Sequence, residues 1–176
     1  MRPLNDKAIS KNSTIYNYRL LKRVYHNRII IGSIWALPVC LFAFDLRLRY
    51  SVLPLLLGLA AVPLAHTLFI RLLYTMKEGR APRGWHWSWD QPWLGTVPGS
   101  YISLSKLLGI QLHLFWMTLV IVCCFYPWIS PIALAHILFV HLWIMLPRFI
   151  IFFRMRRFTA EGYLRISKKE TSCYEQ

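Results

Sequence analysis

The chain has 176 residues, of which 56% are hydrophobic and 16% are charged, and its formal net charge is +14. Soluble domains carry roughly 25% charged residues and disordered chains are poor in apolar side chains, so this composition excludes both classes. A basic chain can bind nucleic acid, but the sequence has no nucleic-acid-binding motif, and its apolar stretches are too long for a small soluble core. We therefore expect an integral membrane protein with no nucleic-acid partner.

The first segment, residues 1–28, is basic and precedes the first apolar stretch. Apolar residues recur in it every three or four positions from Ile15 to Val24, with cations elsewhere around the turn. This spacing predicts a basic amphipathic helix over 13–28, capped by Ser13 or Thr14. Such a helix either lies on the anionic inner leaflet or docks a cytoplasmic partner.

Three stretches without a charged residue follow, at 29–44, 50–70 and 107–147. A membrane core of about 30 Å needs about 20 helical residues, so the first two stretches form one span each and the third forms two. The third stretch turns at 126–131, where Pro127 and Pro131 stand among aromatic residues typical of the membrane interface. The sequence predicts an all-α membrane domain over 29–150, with transmembrane helices at about 29–46, 50–73, 106–126 and 129–150.

Positive charges are distributed unevenly around these spans. Nineteen of the 21 Lys and Arg residues lie in 1–28, 71–106 and 148–176, whereas Arg47 and Arg49 lie in the first short turn. Because Lys- and Arg-rich segments stay inside, we expect a multi-pass protein of the cell membrane whose termini are both cytoplasmic. The loop 74–105 and a basic tail, 151–176, are expected on the same side.

The loop 74–105 contains four of the eight tryptophans within nine residues, namely Trp85, Trp87, Trp89 and Trp93. The first three would share one face of an extended segment. Indole rings prefer the headgroup region, so an interfacial anchor is one interpretation. The alternatives are a partner-binding surface, an aromatic platform for a ligand, and a short re-entrant element.

The end of the last span combines cations with aromatic residues. The cations in this stretch are Arg148, Arg154, Arg156 and Arg157. Long basic side chains beside a membrane extend towards the headgroups, so we expect all four to contact anionic lipid of the inner leaflet.

An internal match links the second and fourth predicted spans. Residues 64–72 and 134–142 are identical at six of nine positions at an offset of 70. Both segments run in the same direction across the membrane in this topology, which suggests a duplicated two-helix hairpin. The alternative is a chance match between leucine-rich spans, since the first and third spans show no comparable similarity.

Several polar residues fall inside the predicted spans and are candidate functional residues, because polar groups are costly to bury in a membrane. They are His66, His113, His136, His141, Arg71 and Gln111. One interpretation is structural, with hydrogen bonds between helices. A second is a path for a small solute or proton. A third is a haem b site with His66 and His113 as axial ligands, which lie at similar depth.

Acidic residues are scarce, with only seven in the chain and none in the middle of a span. The sequence also lacks the motifs of common nucleophiles, metal sites and phosphate-binding loops. We therefore expect a non-enzymatic subunit or anchor of a membrane assembly, without metal or cofactor, that meets a protein partner or a second copy through its basic, Trp-rich cytoplasmic face. The alternatives are an oligomeric small-solute or proton transporter and a b-type haem electron carrier.

Overall fold

The computed structural model describes residues 19–79, 82 and 84–175. The helices in these residues are α1 Arg28–Leu48, α2 Leu53–Glu78, α3 Leu104–Cys124 and α4 Pro131–Met155, followed by a short 3₁₀ turn at Arg156–Phe158. The strands are β1 Arg19–Tyr25, β2 Trp85–Ser88, β3 Gly95–Pro98, β4 Ile102–Ser103, β5 Gly162–Ile166 and β6 Glu170–Glu175.

All four helices are long and apolar enough to cross a membrane. The described residues therefore contain the predicted four helices that could cross a membrane, with ends that differ from the expected ones by a few residues. The prediction of an all-α fold is wrong, because the mostly helical chain also forms β-sheet.

Local sequence signals set the helix ends. Asn27 caps α1 by accepting a hydrogen bond from the Ile29 amide, and Ser130 caps α4 by accepting one from the Ala133 amide. The helix α4 starts at a proline, whose missing N–H costs nothing at that position. At the C-terminal end of α2, Gly79 has a φ of 66°, a left-handed conformation that glycine adopts without strain.

The larger sheet joins three distant parts of the chain. Its strand order is β1-β6-β5-β4, with every neighbouring pair antiparallel. The strand β1 precedes α1, β4 lies between α2 and α3, and β5 and β6 follow α4. These three parts therefore lie at the same end of the helical bundle. We call residues 19–27, 84–103 and 156–175, which include the separate β2–β3 hairpin, the β-layer.

Two sequence-based predictions need correction here. Arg19–Tyr25, expected to be helical, is a strand that pairs with Glu170–Glu175. That pairing satisfies its backbone through a partner almost 150 residues away, which helical spacing cannot reveal. The proposed cap at Ser13 or Thr14 lies outside the described residues. The expected basic tail after residue 150 continues α4 to Met155 and then forms β5 and β6.

Two apolar clusters hold the described residues together. The bundle cluster contains Leu55, Val62, Ile70, Leu94, Ile110, Leu114, Val140, Trp143, Ile144 and Met145. The cluster beneath the sheet contains Val24, Trp93, Val97, Leu104, Leu107, Ile151, Phe152, Met155, Leu164 and Cys173. Trp85 and Phe149 pack against both clusters, so the β-layer is packed on the helix ends.

The start of β5 depends on a glycine. A Cβ at Gly162 would lie 2.5 Å from the Phe158 carbonyl oxygen and 2.6 Å from the Cys173 sulfur. Both distances are too short for any side chain, so only glycine allows β5 to pack this closely on the 3₁₀ turn and β6.

Helix α1 lies at the edge of the bundle, and only Pro38 and Asp45 are buried among its residues. Three contacts attach it to α4. The Asp45 carboxylate binds His136, the Trp143 indole N–H donates a 2.7 Å hydrogen bond to the Ile34 carbonyl, and the rings of Trp35 and Trp143 lie 5.0 Å apart. The position of α1 thus depends on these contacts together with the packing of Ile34, Leu41 and Phe42 on the bundle cluster.

Candidate functional site

The first candidate site is a polar cluster buried between α2 and α4. His66 on α2 and His141 on α4 are 2% and 0% exposed, and their Nε2 and Nδ1 atoms share a hydrogen bond of 3.0 Å. The two rings meet edge to face with centroids 5.2 Å apart. The Nδ1 atom of His66 has no hydrogen-bond partner among the described residues. Either ring can be the donor of this hydrogen bond, depending on which nitrogen of each ring carries the hydrogen.

Arg148 extends this cluster to α3 and to the segment that precedes β3. It donates from Nη1 to the Gln111 side-chain oxygen at 2.9 Å and from Nη2 to the Leu94 carbonyl. No carboxylate of the described residues forms an ion pair with it, and its Nε has no hydrogen-bond partner there. The guanidinium therefore ties two helices to the β-layer through neutral partners.

The expected contact of Arg148 with lipid is wrong, since this side chain is only 1% exposed. The spacing along α4 gives the reason. Arg148 lies seven residues, or two helical turns, after His141, so both project from the same face towards the bundle interior. Arg154, Arg156 and Arg157 are exposed, beyond the bundle interior.

A second polar pair lies towards the other end of the bundle. The Nε2 of His136 is 2.8 Å from the Asp45 carboxylate, and its Nδ1–H donates to the Ile132 carbonyl at 2.6 Å. Asp45 is 2% exposed, although the sequence suggested that it belongs to a short turn outside the membrane. Because Nδ1 donates, the pair holds either a cationic ring with a carboxylate or a neutral ring with a protonated carboxyl group, and is neutral overall.

The remaining predicted intramembrane residues stay apart from these clusters. His113 is exposed, and its Nδ1–H donates to the Gly109 carbonyl of its own helix at 2.7 Å. Arg71 is exposed as well. The structure pairs His66 with His141, not with His113, the residue considered as a second haem ligand. No group of three or more potential metal ligands occurs in the part of the chain that the structure describes.

The internal match aligns His66 with His136, yet their surroundings differ. His66 binds another histidine, whereas His136 binds an aspartate of α1. The matched positions therefore do not have matching contacts.

The second candidate site is an aromatic cavity of about 260 Å³ in the β-layer. Its lining includes Trp87, Trp89, Trp93, Gln91, His26 and Lys168. The extended conformation considered for the tryptophan stretch is present at Trp85–Ser88. Trp87 and Trp89 meet edge to face at 5.3 Å, while Trp85 packs on Tyr74 at 5.9 Å.

Polar groups without partners are the notable feature of this cavity. Gln91 is 1% exposed, and neither its amide nitrogen nor its amide oxygen has a hydrogen-bond partner among the described residues. The same holds for the indole N–H of Trp87. Buried polar groups are usually hydrogen-bonded, so three unpaired atoms in two lining residues are unusual for a folded protein.

A chain of hydrogen bonds through Thr171 joins two other lining residues, Trp93 and His26. The Trp93 indole N–H donates to the Thr171 hydroxyl oxygen at 2.7 Å, and that hydroxyl lies 3.0 Å from His26 Nε2. On the other side of the ring, His26 Nδ1–H donates to the Lys168 carbonyl at 3.3 Å. With Nδ1 donating, a neutral ring leaves Nε2 free to accept from Thr171.

His26 makes the stability of the β-layer depend on pH. Burial lowers the pKa of His26 below its usual value of about 6.5, although the Lys168 carbonyl acts in the opposite direction. The folded chain therefore binds fewer protons here than the unfolded chain, so stability is complete above about pH 6.5 and declines as the pH falls below it. We expect a loss of at most about 1 kcal/mol, because the ring is partly exposed.

The measurement for this prediction is thermal unfolding of the full chain in detergent between pH 8 and pH 5. His26→Gln cannot titrate and should unfold with a shallower pH dependence than the original chain. An identical pH dependence in both proteins would contradict the assignment to His26.

Comparison with protein-family models, curated proteins and solved structures found no match to this chain.

Proposed function

We propose that this chain is a non-enzymatic subunit or anchor of a membrane assembly, and that its β-layer binds a partner protein in the cytoplasm. The orientation follows from the charge distribution, with 19 of 21 cations on the side of the termini and the central loop. Both short turns between spans are then outside the cell membrane, where they offer little surface for recognition.

The aromatic cavity is the observation that carries this proposal. The unpaired amide of Gln91 offers one acceptor and two donors, and the Trp87 indole offers one donor. A peptide group has the complementary acceptor and donor. Tryptophans also dominate the energy of protein interfaces when they stand in a concave site. We infer that an extended segment of the partner places an apolar side chain among the tryptophans, and that the buried Gln91 side chain turns towards the cavity to meet a peptide group of that segment.

The charge of the β-layer defines the expected partner further. It contains eight Lys and Arg residues against four Asp and Glu residues. Lys168 lies at the cavity itself, together with the acidic Asp90. A basic surface attracts and orients an acidic partner, so we expect acidic residues beside the bound segment.

Site-specific photocrosslinking in cells tests this proposal. A photoreactive phenylalanine at position 89 replaces a tryptophan that is 73% exposed beside the cavity, and the matched control replaces Trp128, which is 80% exposed at the other end of the bundle. We expect a discrete protein adduct from position 89 and none from position 128. Gln91→Leu, which removes the amide but keeps the approximate volume, should weaken the adduct severalfold.

Failure of the proposal would be equally clear. The same adducts from positions 89 and 128 would mean that the crosslinked protein is a nonspecific neighbour and not a partner of the cavity. An adduct at position 89 that is unaffected by Gln91→Leu would show that the cavity does not bind the crosslinked protein. Membrane insertion of each variant is checked in the same cells, so that poor insertion is not mistaken for lost binding.

A further inference from the structure

A group of cations marks the end of α4 that adjoins the β-layer. We call Lys22, Arg154, Arg156 and Arg157 the basic cluster; all four are exposed. The Lys22 ammonium donates a 2.7 Å hydrogen bond to the Arg154 backbone carbonyl, which places β1's charge beside the three guanidinium groups. No carboxylate of the described residues forms an ion pair with any of them. The cluster is therefore a concentrated positive charge without a protein counter-ion in that part of the chain.

Two apolar grooves flank α4 just below this cluster. The groove towards α1 measures about 230 Å³ and is lined by Ile30, Ile34 and Ile151 among others. The groove towards α3 measures about 620 Å³, and its walls include Leu108, Phe149 and Phe152. Ile150 lines both grooves, so both adjoin the same helix. Pro147 and Ile151 line the first groove, whereas Phe149 and Phe152 line the second, and at about 100° per residue these pairs lie on opposite sides of α4.

Arg154 connects the grooves with the basic cluster. It lines both apolar grooves and also a pocket of about 320 Å³, which the four cations line together with Phe153 and Phe158. Arg156 is held over the Phe153 ring, with its guanidinium carbon 4.4 Å from the ring centroid. The geometry thus combines a group of cations without a carboxylate partner among the described residues with two adjoining apolar grooves.

We propose that this is a binding site for one anionic phospholipid, whose phosphate contacts the basic cluster while its two acyl chains lie on either side of α4. The phosphate supplies the missing negative charge, and a guanidinium group can donate two parallel hydrogen bonds to the oxygens of one phosphate. Basic pockets beside transmembrane helices bind anionic headgroups in this way. The site is separate from the aromatic cavity and does not depend on the proposed function of the β-layer.

Native mass spectrometry of the full chain in detergent, with phosphatidylglycerol or phosphatidylcholine added, tests this site. We expect one tightly retained phosphatidylglycerol and at least tenfold weaker retention of phosphatidylcholine. Arg154→Gln with Arg156→Gln should reduce phosphatidylglycerol binding at least tenfold, and the two corresponding Lys substitutions should retain most of it. The Lys22 hydrogen bond is kept in each variant because its acceptor is a backbone carbonyl.

Arg47→Gln with Arg49→Gln is the matched control, since it removes the same charge at the opposite end of the bundle and should leave binding unchanged. Equal loss in that control, or equal retention of both lipids, would overturn the proposal. Displacement of the lipid by inorganic phosphate at equal concentration would assign the site to a free anion and overturn it as well. If the double variant does not fold, Arg157→Gln alone should still weaken binding severalfold, and unchanged binding would count against the site.

Discussion

Replacing Arg148 with alanine is expected to lower the free energy of unfolding by about 2–4 kcal/mol. The substitution leaves the Gln111 oxygen and the Leu94 carbonyl buried without this donor, and it opens a cavity where the side chain packed. Relief of the buried charge offsets part of this loss. The substitution removes the links from α4 to α3 and to the start of β3 at the same time. The β-layer should therefore unfold at a lower denaturant concentration than the helical bundle.

Denaturant unfolding in detergent, combined with amide hydrogen exchange at β2 and β3, measures both effects. Arg148→Met keeps most of the volume without the charge and should fall between alanine and the original chain. Arg154→Ala, an exposed position on the same helix, should change the free energy by no more than about 0.5 kcal/mol. If Arg148→Ala leaves stability and exchange unchanged, the cluster does not hold the fold together, and the transporter interpretation of these residues becomes the stronger one.

Replacing Asp45 with alanine should have the second large effect, a loss of about 3–5 kcal/mol. His136 would keep its bond to the Ile132 carbonyl but lose the carboxylate that balances it in a buried position. Because the two other polar and aromatic contacts with α4 are both at Trp143, far from Asp45 along α1, we expect the end of α1 at Asp45 to separate from the bundle. Distances between spin labels on the two helices should then become longer and broader.

A double-mutant cycle with His136→Ala isolates the contribution of the pair. The two single variants should each cost nearly as much as the double variant, since either substitution already breaks the contact. Asp45→Asn, which can still accept a hydrogen bond, should lose less than alanine. Fully additive losses would show that Asp45 and His136 do not act as a pair.

The helices could be predicted from the sequence because the information for them is local. Stretches without charge, as long as the membrane core is thick, require helical backbone, and the turn before α4 has its own signals in Ser130 and Pro131. The strands could not be predicted in the same way. Arg19–Tyr25 reads as an amphipathic helix by its spacing, and its pairing with Glu170–Glu175 depends on the bundle bringing both ends of the chain together.

The candidate site residues show the same division. His66, His141 and Gln111 were recognisable because polar side chains in apolar spans are costly. Their pairing was not recognisable, since it depends on which faces of the helices meet. Arg148 was assigned to the lipid because it follows a long apolar stretch, and the two-turn spacing from His141 was the signal that could have placed it inside. Asp45 offered no such signal, since its partner lies on another helix.

The sequence by itself predicted four helices long and apolar enough to cross a membrane, because hydrocarbon excludes unpaired backbone and unpaired charge from any stretch that crosses it. It also identified His66, His136, His141 and Gln111 as polar residues of these helices, but it did not reveal the burial of Arg148 and Asp45. The division of Lys and Arg between the two ends could be read from the sequence as well. Only the tertiary structure decided what these residues do. It placed Arg148 against a carbonyl of the β-layer and joined Asp45 to His136. It also built an aromatic cavity from segments that lie before α1, between α2 and α3, and after α4 in the sequence. Such contacts follow from helix packing and strand pairing over long separations, which no local pattern of residues encodes.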